Sequence, residues 1–145
     1  MTYTIYVKDI MSRSVKTIAP TATIRDAAKL MARWKIGSLV IADGDVPVGM
    51  ITEGDISRHA GRGKSLQSKL SAFTKKDLFT VTSDVRVEVA AKKMSESGVK
   101  KLPVIDDGRL VGIVTQTDIV ASSFSLVTSL KEMVKARYRP PDFEM

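Results

Sequence analysis

The stretch G-M-I-T-E-G-D-I, Gly49 to Ile56, recurs as G-I-V-T-Q-T-D-I from Gly112 to Ile119. Gly49, Thr52 and Asp55 fall on Gly112, Thr115 and Asp118, all at one offset of 63 residues. The correspondence continues upstream without an insertion. Ala27-Ala28-Lys29 falls on Ala90-Ala91-Lys92, Met31 on Met94, Leu39 on Leu102 and Asp43 on Asp106. Farther back, Val7, Ile10 and Val15 fall on Leu70, Phe73 and Leu78. A gapless repeat of this length means one supersecondary unit made twice. Two copies are too few for a solenoid, so the expected product is a pseudo-symmetric pair packed face to face. In a chain of 145 residues the two halves would share a core.

The unit reads as β-α-β-β-α. Val15 to Ile18 is a short strand that Pro20 stops, after one helical turn over Val7 to Met11. Thr23 caps a helix to about Lys35, whose apolar stripe is Ile24, Ala27, Ala28 and Met31. Ser38 to Ala42 is apolar and β-branched, a buried strand; Asp43-Gly44-Asp45 is a turn, Val46 to Ile51 the return strand, and Thr52 opens the next helix. The second copy gives a helix from about Val85 to Ser97 and strands over Leu102–Ile105 and Leu110–Val114. The fold class is therefore α/β (α+β), two motifs packed through their sheets. Residues 1–60 make the first motif with its lead-in, 61–69 a basic connector and 70–122 the second motif. Residues 123–139 make a terminal helix striped by Phe124, Val127, Leu130, Val134 and Tyr138, and 140–145 a tail after Pro140-Pro141. Leu30 and Trp34 stand where the second copy has Lys93 and Ser97, so the first helix is expected to face the terminal helix or another subunit.

Composition narrows the chemistry. There is no cysteine and one histidine, His59, which removes thiolate chemistry and any multi-histidine metal site within one chain. No apolar run approaches a membrane span, and Lys8 and Asp9 stand where a secretory leader would be apolar, so the expected location is the cytoplasm. No phosphate loop of the P-loop type and no paired nucleophile and base occur, and the chain reads as a non-enzyme without a catalytic cofactor. Lys plus Arg number 23 against 16 Asp plus Glu, a formal net charge of +7 that favours anionic partners.

The repeated T-x-x-D carries two readings. Threonine before a helix with an acid three residues on is a capping box, and spacing alone favours that role. The same geometry suits a ligand: a helix start attracts phosphate, and an aspartate one turn on can accept from both hydroxyls of a ribose.

In their order these phrases resemble the cystathionine β-synthase (CBS) motif, and the pair resembles a Bateman module. The matching text is V-K-D-I-M-S, T-I-A-P-T-A-T-I-R-D-A-A-K-L-M, I-G-S-L-V-I and V-G-M-I-T-E-G-D-I, then V-T-S-D-V, A-A-K-K-M and G-V-K-K-L-P-V-I-D-D-G-R-L-V-G-I-V-T-Q-T-D-I. It spans about Val7 to Ile119; the second lead-in, Leu70 to Lys76, departs from the D-I-M-S wording. The resemblance implies a regulatory module that senses AMP, ADP or ATP between the halves, with S-adenosylmethionine ranked behind them. It implies that ribose and phosphate contacts come from one motif, and the adenine wall with further phosphate contacts from the other. On this chain Thr52 and Asp55 would work with Phe79, Val99, Lys100 and Lys101. Thr115, Thr117 and Asp118 would work with Lys16, Ile36, Gly37 and Ser38. The site facing Lys100 and Lys101 is expected to hold phosphates more tightly. The resemblance also implies a homodimer and an unidentified regulated protein as partner. A basic nucleic-acid-binding or scaffold protein with vestigial sites is the second reading.

Overall fold

The computed structural model describes residues 4–74 and 78–123. Its elements follow the local chemistry closely. Thr23 Oγ1 accepts from the Asp26 N–H at 3.1 Å while Asp26 Oδ2 accepts from the Thr23 N–H at 2.9 Å. This closed capping box starts helix α2 (Ile24–Trp34), which ends where Lys35 turns left-handed at φ 53. Helix α1 (Val7–Ile10) and strand β1 (Thr17–Ile18) precede it. β2 (Ser38–Asp43) is buried at every residue but the last, because β1 pairs parallel on one side and β3 (Val46–Thr52) antiparallel on the other. Helix α3 (Glu53–Gly61) follows β3 directly.

The second half repeats this as α4 (Val87–Ser97), β4 (Lys101–Asp106), β5 (Arg109–Thr115) and a helix, α5, over 116–123. Both ends of α4, β4 and β5 fall 63 residues after those of α2, β2 and β3, and a 3-10 turn at Leu70–Phe73 matches α1. Even the register shift recurs, between Ile41 and Ala42 and again between Val104 and Ile105. The counterpart of β1 shrinks to a single bridge, Val81 to Val104. Helix α4 begins at Val87, two residues later than periodicity suggests, because the carbonyl of Val85 accepts from the Val7 N–H at 2.9 Å.

That last bond reveals how the halves are joined. Val7 is wholly buried among Val81, Ala90, Met94, Leu102, Val104 and Val114, in the core of the second half. Reciprocally, Leu70 is wholly buried among Ile24, Ala27, Met31, Leu39, Ile41 and Ile51, in the core of the first. Leu70 donates to the Ala22 carbonyl at 2.8 Å, the same bond shifted by one repeat. Each lead-in has crossed to the other half, so the first motif is continuous in sequence but exchanged in space. The reciprocity of the two bonds defines the pseudo-twofold relation.

The exchange also explains the repeated glycines. A Cβ on Gly49 would lie 2.6 Å from the Phe73 carbonyl oxygen and 3.2 Å from Thr74 Cα. A Cβ on Gly112 would lie 2.7 Å from Met11 Sδ and 2.9 Å from the Ser12 carbonyl oxygen. Both glycines let a crossed lead-in lie against the sheet. Leu30 packs on the margin of the first core. Trp34 stays 37% exposed, with Lys16 Nζ 4.8 Å from its ring centroid. The terminal helix expected to meet these two residues lies outside the described residues, as does the tail.

Overpacking at a backbone contact costs about 1–3 kcal/mol. Gly49→Ala should therefore lower the unfolding free energy by about that much in urea titrations. Gly61→Ala, where a Cβ meets nothing within 4 Å, should stay within about 0.5 kcal/mol of the parent. Equal effects at the two positions would count against the exchange as the reason for Gly49.

Candidate functional site

Thr52 ends β3 beside Ser38, its register partner at the start of β2, so the loop entering β2 lies against the start of α3. The Glu53 N–H donates to the Gly37 carbonyl at 3.0 Å, and in the second half the Gln116 N–H donates to the Lys100 carbonyl at 2.8 Å. Thr52 Oγ1 accepts from the Asp55 N–H at 3.1 Å, and Asp55 Oδ2 accepts from the Thr52 N–H at 2.9 Å. Thr115 and Asp118 repeat this box at the same two distances. The capping role that spacing favours is thus present in both copies. It engages only one carboxylate oxygen, which leaves the other for a different partner.

At Asp55 that partner is Arg58, whose Nη2 donates to Oδ1 at 2.8 Å. Burial by itself would raise the Asp55 pKa. The Thr52 N–H, the Arg58 guanidinium and the Thr52 side chain outweigh it and hold the carboxyl below its ordinary value of 3.8.

A cavity of about 850 Å3 opens in front of this carboxylate, between the halves. Thr52 and Asp55 line it from one half, and Phe79, Val99, Lys100 and Lys101 from the other. The six residues grouped by resemblance on the Asp55 side therefore share one cavity. Gly37 and Ser38, expected beside Asp118, line this cavity too, because β2 starts where β3 ends. Lys16, Ile36, Thr115, Thr117 and Asp118 do not line it.

The two lysines, paired in the sequence reading, differ in the structure. Lys101 Nζ donates to the hydroxyl of buried Ser38 at 2.8 Å, and those two residues are one repeat, 63 positions, apart. The bond therefore crosses the pseudo-twofold axis and tethers Lys101 there. Lys100 remains exposed at the cavity rim. Sequence reasoning passed over Arg58, Gly54 and Gly98, which also line the cavity. Arg58 stands three residues after Asp55, a spacing at which helical side chains meet, and that signal was available. Gly98, at φ 67, ends α4 and turns the chain into the wall over 98–101. His59 stands apart, with Nε2 2.7 Å from the Ser65 carbonyl and its ring against Phe73, and braces the connector. Among the described residues no cluster of His, Asp and Glu could hold a metal ion, and no helix is long and apolar enough to cross a membrane.

Compared with known families, the CBS domain pattern matches residues 7–62 and again residues 70–125. The chain belongs to the CBS domain family. Among curated CBS relatives, the CBS domain-containing protein YhcV of Bacillus subtilis is 32% identical over 120 residues, covering 82% of this chain and 86% of that one. The CBS domain pair of protein MJ0100, solved with 5′-methylthioadenosine and S-adenosyl-L-methionine, superposes with a TM-score of 0.76 at 31% identity. That match covers 85% of this chain and 98% of the other. The CBS domain protein PAE2072 of Pyrobaculum aerophilum, solved with AMP, gives a TM-score of 0.72 at 27% identity, over 79% and 89% of the two chains.

The lowered carboxyl of Asp55 has a signed consequence. Its contribution to stability is complete above about pH 3.8 and is lost as pH falls through the lower folded value. Asp55→Asn should therefore lose less urea resistance than the parent on acidification from roughly pH 5 to pH 3. Thr52→Ala should cost about 1 kcal/mol near neutrality through the lost cap. An acid profile unchanged in the asparagine variant would show that these bonds do not hold the carboxylate.

Proposed function

We propose that this chain is a regulatory module that binds an adenine nucleotide, AMP, ADP or ATP, in the cleft beside Asp55. One observation carries the reading: a helix start with its threonine and aspartate, an aromatic ring and two lysines meet around one cavity although they come from different halves. Each matches a part of the ligand. The Asp55 carboxylate is an acceptor for ribose hydroxyls. Phe79, 43% exposed, offers a ring face to a purine. The start of α3 and the two lysines favour phosphate. About 850 Å3 is room for a nucleotide within the ordinary range of ligand pockets. The ligands bound by MJ0100 and PAE2072 share the adenosine group this chemistry fits.

The lysines rank phosphate-bearing ligands above S-adenosylmethionine. Gly37 and Ser38, the positions that match Lys100 and Lys101, line the Asp55 cavity as well, and Lys16 sits over Trp34. Binding rather than catalysis is the proposed activity, with output through a homodimer or a regulated cytoplasmic protein. A ligand shifts such an output only through unequal affinity for two arrangements.

A thermal-shift panel tests this. At about 100 times Kd a single site stabilises by roughly 2.7 kcal/mol, which raises Tm by roughly 5–10 °C for a chain of this size. AMP, ADP or ATP should produce that rise, and Asp55→Ala should remove most of it. No rise with any of the three, or with S-adenosylmethionine, would overturn the reading.

A further inference from the structure

Each oxygen of the Asp55 carboxylate already accepts one hydrogen bond before any ligand arrives. Oδ2 accepts from the Thr52 N–H and is bound into the helix cap. Oδ1 accepts from Arg58. A ribose that uses this carboxylate must therefore compete with a guanidinium for Oδ1. The Arg58 guanidinium lies over Gly54 on its way back. A Cβ there would lie 3.0 Å from its Nη1 and 3.4 Å from its Nη2. The second copy has the opposite pair: Thr117 matches Gly54, and Ala121 matches Arg58. Asp118 keeps the same box with no guanidinium at that position. Among the described residues the ion pair is thus a feature of one cleft.

Arg58 also has the freedom to leave. Its side chain is 62% exposed on the rim of the cavity, against 28% for Asp55. Exposed ion pairs hold weakly, since water screens them and the long side chain loses freedom to form them. A phosphate offers the guanidinium a second anion, with charge-assisted and often bidentate hydrogen bonds. An uncharged nucleoside offers nothing in exchange for the lost carboxylate.

We propose that Arg58 is the specificity-determining residue of this cleft: it covers the carboxylate that ribose requires and yields it to ligands that carry phosphate. This rests on the nucleotide reading above and adds to it a discrimination against free nucleosides, set by Arg58. The Asp118 cleft has no arginine at that position and lacks this filter.

Calorimetric titration of the full chain with adenosine and with AMP, at one fixed salt concentration, tests it. In Arg58→Ala, adenosine should bind about two- to five-fold tighter, the scale of a surface ion pair removed. AMP should bind no tighter than in the parent, so the preference for AMP over adenosine should fall by at least that factor. Equal weakening of both ligands in Arg58→Ala, or an unchanged AMP-to-adenosine ratio, would overturn the proposal. The nucleotide reading would survive that outcome if the parent still bound AMP and Asp55→Ala did not. If neither ligand bound the parent or the Arg58→Ala protein, both would fall.

Discussion

The exchange of lead-ins, Val7 into the core of the second half and Leu70 into the core of the first, is the contact on which the rest depends. Burying a side chain of this size contributes about 1.5–3 kcal/mol, and each lead-in also fills backbone bonds that the other half would leave open. Val7 and Leu70 donate to Val85 and Ala22, and bridges join Tyr6 to Arg86 and Thr23 to Lys69. Neither half has a complete core without a segment from the other. Separation would expose both cores together, so the cleft between the halves is a built feature of the fold.

The same crossing positions the cleft chemistry. After Leu70–Phe73 has packed on the first half, the chain returns to the second and brings Phe79 to the cavity opposite Asp55. At the axis, Ser38 and Lys101 occupy matching positions and bond to each other. A cation is thereby tethered at the centre while Lys100 stays exposed at the rim. Identity of sequence between copies made the frame symmetric; substitutions at a few positions made the contents unequal. Gly54 with Arg58 against Thr117 with Ala121 is the sharpest of these.

Much of the frame was legible in the sequence because it is local. The capping boxes at Thr23, Thr52 and Thr115 are read from residues three apart, and the hairpin turns from Asp43-Gly44-Asp45 and Asp106-Asp107-Gly108. The 63-residue offset then carried each element to its copy. The parts that were not legible are long-range. Nothing in the wording of Val7 to Ile10 says which core it enters, and so the start of α4 was placed two residues early. The glycines at 49 and 112 were visible as a repeat, but their cause, a crossed chain at under 3 Å from a Cβ, lies far off in sequence. Gly37 and Ser38 were assigned to one cleft by matching positions; that they also line the Asp55 cavity follows from the strand register that pairs Ser38 with Thr52. Arg58 was overlooked because its partner is a residue already assigned to a cap and a ligand.

The central claim is that one ligand is held from both halves of the exchanged pair, with its ribose on Asp55. A crystal structure of the AMP complex tests this most directly. The ribose hydroxyls should lie within about 3.2 Å of Asp55 Oδ1, with the purine against Phe79 and the phosphate on the side of α3 and Lys100. AMP bound at the basic connector over 61–69, or contacted by residues of one half alone, would contradict it.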